Sequence, residues 1–199
     1  MGKRKKPPPV RLATVDPDEI FCQAVWFDQS AMILGEVASR FIEHIRSTPE
    51  KDRFDQPIAY LALPPSLIPG LVNEALAIEL YFKAILALEG KQGKPVATHC
   101  LDDLYKKISA PNQVIILTSY EATIDRKASQ PTTGNDLVPI LEEYGNSFGI
   151  LRYAYEYQDL ALRALIPVKV AARKAAMAIH PAWKEYLPLS LPAPTFQFR

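Results

Sequence analysis

A chain of 199 residues with 48% apolar and 23% charged residues is sized for one domain with a real core. Its net charge of +1 excludes a uniformly basic nucleic-acid-binding surface and leaves only local patches open. Two distant cysteines, Cys22 and Cys100, read as reduced thiols of a cytoplasmic protein, and no apolar run reaches the roughly 18 residues of a membrane span.

Residues 1–15 carry Lys3, Arg4, Lys5 and Lys6 ahead of Pro7-Pro8-Pro9, without the apolar stretch of a secretory signal. They read as a disordered basic arm, either solvated or in weak electrostatic contact with nucleic acid. A single helical domain is then expected over 16–182, with an extended Pro-rich tail over 183–199.

Asp16 and Pro17 open the first helix as cap and first helical residue, and Asp18 and Glu19 suit the positive end of its dipole. An apolar face is expected from Ile20, Phe21, Ala24, Val25, Met32, Val37, Phe41, Ile42 and Ile45, ending before Pro49. Residues 49–65 form a Pro-rich connector around one strand-length apolar run that has no partner strand. Ser66 caps a second helix to about Glu89, stopped by Gly90 and Gly93. Thr98 is expected to cap a third over His99 to Ser109, and 112–128 to form a fourth with Val114, Ile115, Leu117 and Ile124 as its apolar stripe.

After the loop 131–135, Asp136 opens a helix that continues through Leu141, Tyr144, Phe148, Leu151 and Tyr155. Gly145 and Gly149, four apart, suit a tight helix crossing or a dimer seam. Pro167 kinks or divides this helix from an Ala-rich one over Val168 to Ile179, which Pro181 stops. No strand pair carries hairpin signals, so the class is all-α.

Three clusters carry candidate chemistry. Glu79 and Lys83 stand i, i+4 in the favourable order on a helix otherwise almost wholly apolar. They form either a pair at the rim of the core or of a dimer seam, or a ligand-facing pair in a groove. His99, at an expected helix start, is biased toward the neutral base by the dipole, and Lys94 could meet the same anion. A packing or capping role is the alternative for His99. Arg152, Tyr153, Glu156 and Tyr157 share one helical stretch, fit either to stack on bases and hold phosphate or to pack at the core rim. No Gly-rich phosphate loop, His-Glu-x-x-His pair, metal-spaced cysteine pair or Gly-x-Ser-x-Gly elbow exists, so no metal site and no cofactor is expected.

Ala75-x-x-x-Glu79-Leu80-x-x-Lys83-Ala84-x-Leu86, then Gly90, then Thr98-His99-x-Leu101-x-x-Leu104, resembles the HEPN family. Phe148-x-x-Leu151-Arg152-Tyr153-x-Tyr155-Glu156 is similar to the distal helix of some members. The resemblance spans about residues 66–160. It implies a bundle of four to five helices, commonly a homodimer with a polar groove between subunits. Members include metal-independent ribonucleases of toxin–antitoxin and phage-defence systems, and non-catalytic modules that bind nucleotides or accompany nucleotidyltransferases.

Active members carry an Arg, a spacer of about four to six residues, then a His, the His moving a proton at the ribose 2′-OH and the Arg stabilising phosphate charge. Here Lys94 and His99 have that spacing, with Lys where the family has Arg. Lys can neutralise a phosphate but lacks the planar fork. Arg152 could supply the guanidinium from another helix. Arg173 and His180, with six residues between them, are an alternative catalytic pair, and Arg40 and His44 fall one residue short. The resemblance therefore implies an RNA- or nucleotide-interacting module with a degenerate catalytic motif and an antitoxin or nucleotidyltransferase as partner. An active ribonuclease using His99 and a non-catalytic dimerisation protein are the alternatives.

Overall fold

The computed structural model describes residues 16–47, 66–90, 98–124, 137–143 and 165–187. These are almost entirely helical and contain no strand, as the sequence predicts. The helices are α1 (Pro17–Ser47), α2 (Leu67–Leu88), α3 (Leu101–Lys107), α4 (Ala110–Glu121), α5 (Leu137–Glu143) and α6 (Leu165–Ile179), followed by a 3-10 segment, Pro181–Tyr186. The basic arm, the 49–65 connector, the loop 131–135, and Gly145 and Gly149 lie outside the described residues.

α1 begins where the sequence places it. The Asp18 N–H donates to Asp16 Oδ1 at 2.9 Å, and the helix ends two residues short of Pro49. Its buried face is Phe21, Ala24, Val25, Asp28, Ala31 and Ala38. The expected apolar face is corrected here, because Met32 is 59% exposed and Ile42 36% exposed. Small residues replace large ones along the buried stripe because α2 crosses closely. A Cβ on Gly70 would lie 3.4 Å from Leu34 Cβ and 3.8 Å from the Ala31 carbonyl.

α2 is the central helix, packed on α1, α3 and α6. Thirteen of its residues are buried, including Leu71, Ile78, Tyr81, Phe82, Ile85 and Leu86, so tertiary burial holds a helix that has little polar surface of its own. Gly90 ends it at φ +68°, donating to the Ala87 carbonyl at 3.0 Å; only glycine takes that conformation without strain.

The third helix starts later than the sequence suggests. Thr98 Oγ1 accepts from the Cys100 N–H at 3.1 Å, and the helix proper begins at Leu101, so His99 precedes it. Gln113 Nε2 then donates to the Tyr105 and Ile108 carbonyls at 3.0 and 2.9 Å, closing the end of α3 from α4. α4 starts two residues earlier than expected and buries Ile116 and Tyr120, while Val114 is 61% exposed.

α6 opens before Pro167, not after it. The ring falls in the first turn, where the missing N–H costs no hydrogen bond. Val168, Ala171, Ala172, Ala175 and Ala176 are buried against α2 and α4, their small side chains allowing close approach. The boundary expected at residue 183 falls inside the 3-10 segment. Trp183 is fully buried, stacked on Phe21 with centroids 4.4 Å apart, and Nε1 donates to Asp18 Oδ1 at 2.6 Å. That aromatic burial keeps the chain helical beyond Pro181.

Candidate functional site

Glu79 sits on the fourth turn of α2, among residues that bury its backbone and most of its side chain. Its neighbour Lys83 follows one turn later and donates from Nζ to Glu79 Oε1 at 2.6 Å. The segment entering α3 brings His99 to the same atom, with Nδ1 3.0 Å from Glu79 Oε1. The side chains differ sharply in exposure: 6% for Glu79, 22% for Lys83 and 66% for His99. One buried carboxylate thus anchors two surface-reaching groups that could carry positive charge.

The chemistry follows from the tautomer. With the Nδ1–H donated to Glu79, a neutral imidazole carries its basic lone pair on Nε2. A protonated ring would instead donate at both nitrogens. Glu79 therefore orients the ring, and its Oε1 is shared between imidazole and ammonium. The dipole argument for His99 fails, because the residue stands outside α3, a helix of only seven residues.

Of the residues singled out in the sequence, the structure brings Glu79, Lys83 and His99 together. Lys94, Arg152, Tyr153 and Glu156 lie outside the described residues. Arg173 and His180 do not meet on a common group. Arg173 Nη1 donates to Asp28 Oδ2 at 2.9 Å, whereas His180 Nε2 lies 4.0 Å from Asp18 Oδ1, with its ring edge-on to Trp183. Those two acids are about 15 Å apart along α1 at 1.5 Å per residue.

The structure also reveals a buried ionic cluster where α1, α2 and α6 meet. Lys169, 5% exposed, lies 3.0 Å from Asp28 Oδ1 and 3.5 Å from Glu74 Oε1. Tyr81 donates its hydroxyl to Asp28 Oδ2 at 3.1 Å, the oxygen that Arg173 also binds. Among the described residues Asp28 Oδ1 has no hydrogen-bond partner, so Lys169 meets that oxygen as a charge. Glu74 Oε2 has no hydrogen-bond partner among the described residues.

Burial pushes the Glu74 carboxyl above the usual carboxylate range, against the lowering effect of Lys169. Burial likewise drives the Tyr81 hydroxyl well above the ordinary phenol range. A sequence signal for this cluster exists. Asp28 falls in register with Ala24 and Ala31 on the buried stripe of α1, and Lys169 interrupts the small-residue face of α6.

Two further contacts are structural. Glu89 at the end of α2 accepts from the Ser109 N–H at 3.0 Å, from Ser109 Oγ at 2.6 Å and from Asn112 Nδ2 at 2.8 Å, capping α4 across the turn. Cys100 Sγ donates to Asp102 Oδ1 at 2.8 Å, which raises the thiol pKa and lowers that of the carboxyl. Among the described residues no group of His, Cys, Asp and Glu could hold a metal ion, and no helix is long and apolar enough to cross a membrane. The chain matches no family model, no curated protein and no solved structure.

Proposed function

We propose that the chain is a HEPN-like helical module that engages RNA or a nucleotide through the surface where His99 and Lys83 meet Glu79, within a toxin–antitoxin or phage-defence system. The observation that carries this reading is the convergence of His99 Nδ1 and Lys83 Nζ on Glu79 Oε1. An exposed imidazole and a partly exposed ammonium, tethered to a buried carboxylate, offer a phosphate both charge and hydrogen-bond donors. Lys94 and Arg152 are the candidates for further phosphate contacts, and Tyr153 and Glu156 for base or ribose contacts. A bundle with extended Pro-rich tails, paired as a homodimer and bound by an antitoxin or nucleotidyltransferase, completes the reading.

Binding is placed ahead of cleavage because Lys94 stands where the active family members carry Arg. The Glu79–His99 contact favours a second reading, a metal-independent endoribonuclease. In that reaction His99 Nε2 accepts the ribose 2′-OH proton as the 2′-oxygen attacks phosphorus, the bond from phosphorus to the 5′-oxygen breaks, and the 5′-oxygen takes a proton from water.

Incubating the purified protein in EDTA with total RNA and a tRNA pool, beside His99→Ala, separates the two. Salt-dependent RNA affinity without cleavage, weakened by His99→Ala and Lys83→Ala, is the expected result. Cleavage by the wild type alone would make the chain a ribonuclease with His99 in its site. Neither binding nor cleavage by a folded protein would leave the Glu79 cluster a structural clasp.

A further inference from the structure

The buried cluster where α1, α2 and α6 meet holds two acceptors that its donors do not satisfy. Asp28 is 2% exposed and Glu74 8%, and among the described residues Asp28 Oδ1 and Glu74 Oε2 have no hydrogen-bond partner. Both carboxylates lie within ion-pair reach of one cation, with Lys169 Nζ 3.0 Å from Asp28 Oδ1 and 3.5 Å from Glu74 Oε1. Two like charges gathered round one ammonium in a dry site repel, and each orphaned oxygen adds the cost of lost water. One proton would relieve the repulsion and satisfy both oxygens.

The charged and titratable groups around the pair decide which carboxyl takes it. Facing Glu74 are Asp28 from α1, Lys169 and Arg173 from α6, and Tyr81 from α2 itself. Asp28 is the better supported anion. Its Oδ2 accepts from the Tyr81 hydroxyl and from Arg173 Nη1, and Lys169 stands against Oδ1. Glu74 has Lys169 alone, at the longer distance. Its carboxyl is the one that burial pushes above the usual range, and the Asp28 charge acts in the same direction. A proton on Oε2 turns that oxygen from an acceptor into a donor. We propose that α1 and α2 are joined by a shared proton, Glu74 Oε2–H donating to Asp28 Oδ1 beside Lys169, as a clasp that tightens in acid.

An ordinary ion pair fails in acid, when its carboxylate is protonated. Here protonation exchanges a repulsion for a charge-assisted hydrogen bond. Two acids and two bases balance while Glu74 is ionised, and one positive charge is in excess once it is protonated. Arg173, 28% exposed, is the member that carries this excess to solvent. As pH rises through the raised Glu74 value the proton leaves and the clasp loosens. The clasp lies in the core and is independent of the RNA reading.

Infrared difference spectra and side-chain carboxyl carbon-13 shifts of the full chain, followed from acid to neutral pH, test it. Above the ordinary glutamate range, the wild type should show the C=O band of a hydrogen-bonded carboxylic acid, and Glu74→Gln should lack it. Asp28→Asn should move that band to higher frequency, since a neutral amide is the weaker acceptor. In the wild type, Glu74 Cδ and Asp28 Cγ should inflect at a common pH. The Asp28 inflection at that pH should vanish in Glu74→Gln, a comparison that holds even where Asp28→Asn fails to fold. Glu74 titrating together with exposed glutamates overturns the proposal. An Asp28 inflection that survives in Glu74→Gln, or a band at the frequency of a carboxylic acid without a hydrogen bond, overturns it equally.

Discussion

Glu79 holds two donors on a single oxygen, so its loss should be felt by both. Glu79→Ala is expected to lower stability by about 1–3 kcal/mol, the cost of leaving partly buried polar groups unsatisfied, read from the urea midpoint. The same variant should free the imidazole tautomer, visible as a change in the ¹⁵N shifts of His99; unchanged shifts would show that Glu79 does not orient the ring. Glu74 behaves differently. Its pKa is raised in the folded protein, so it favours the fold at pH below the ordinary glutamate value and loses that contribution as pH rises through the raised value. Glu74→Gln, which mimics the protonated acid, should match the wild type in acid and become the more stable of the two toward neutral pH. A constant difference across urea unfolding curves from pH 4 to 8 would contradict this. Cys100 supplies a third residue-scale test. Its thiol is held protonated by Asp102, so Asp102→Ala should speed its alkylation by iodoacetamide, followed by mass spectrometry.

Single helices carry their own consequences. Gly35 lies in the interior of α1, and a Cβ there meets nothing within 4 Å. Gly35→Ala should therefore stabilise by about 0.5–1 kcal/mol through backbone entropy and helix propensity. The same substitution at Gly90 should destabilise, because φ +68° is strained for any residue with a Cβ. On α4 the contrast is between neighbours two apart. Ile116→Ala should cost about 2–5 kcal/mol, while Val114→Ala should change the urea midpoint little, since one side chain is fully buried and the other 61% exposed.

The whole molecule is closed by contacts between its distant parts. Asp28 on α1 binds Arg173 and Lys169 on α6, 145 residues away in the first case, and Asp18 binds Trp183. Both acids sit on the helix that packs most extensively on α2, so α1 and α6 are tied together as well as to the central helix. Asp28→Ala would leave Lys169 buried with only Glu74 nearby, and about 3–5 kcal/mol of destabilisation is expected from the uncompensated charge. Replacing the cluster by apolar residues of similar volume should be far less costly. That difference, measured by denaturant unfolding, separates a net stabilising network from one that mainly fixes the register of the three helices.

The sequence by itself determined the helix class, the start of α1, the end of α2 at Gly90 and the stop at Pro181, because caps, glycines and prolines act through local backbone chemistry. It also marked Glu79, Lys83 and His99, since charge on an apolar helix is conspicuous in one dimension. Only the tertiary structure decided that these three share one oxygen, and that His99 lies ahead of α3. It alone decided which stripe of α1 is buried. Large side chains look like core by composition, yet a close crossing at Gly70 favours Ala31 and Ala38 over Met32. The Asp28–Lys169–Arg173 cluster leaves only a one-dimensional trace, Asp28 and Lys169 each breaking a small-residue face, and packing alone decided that they meet, because its members are scattered along the chain and each resembles an ordinary surface charge until packing removes the water around it.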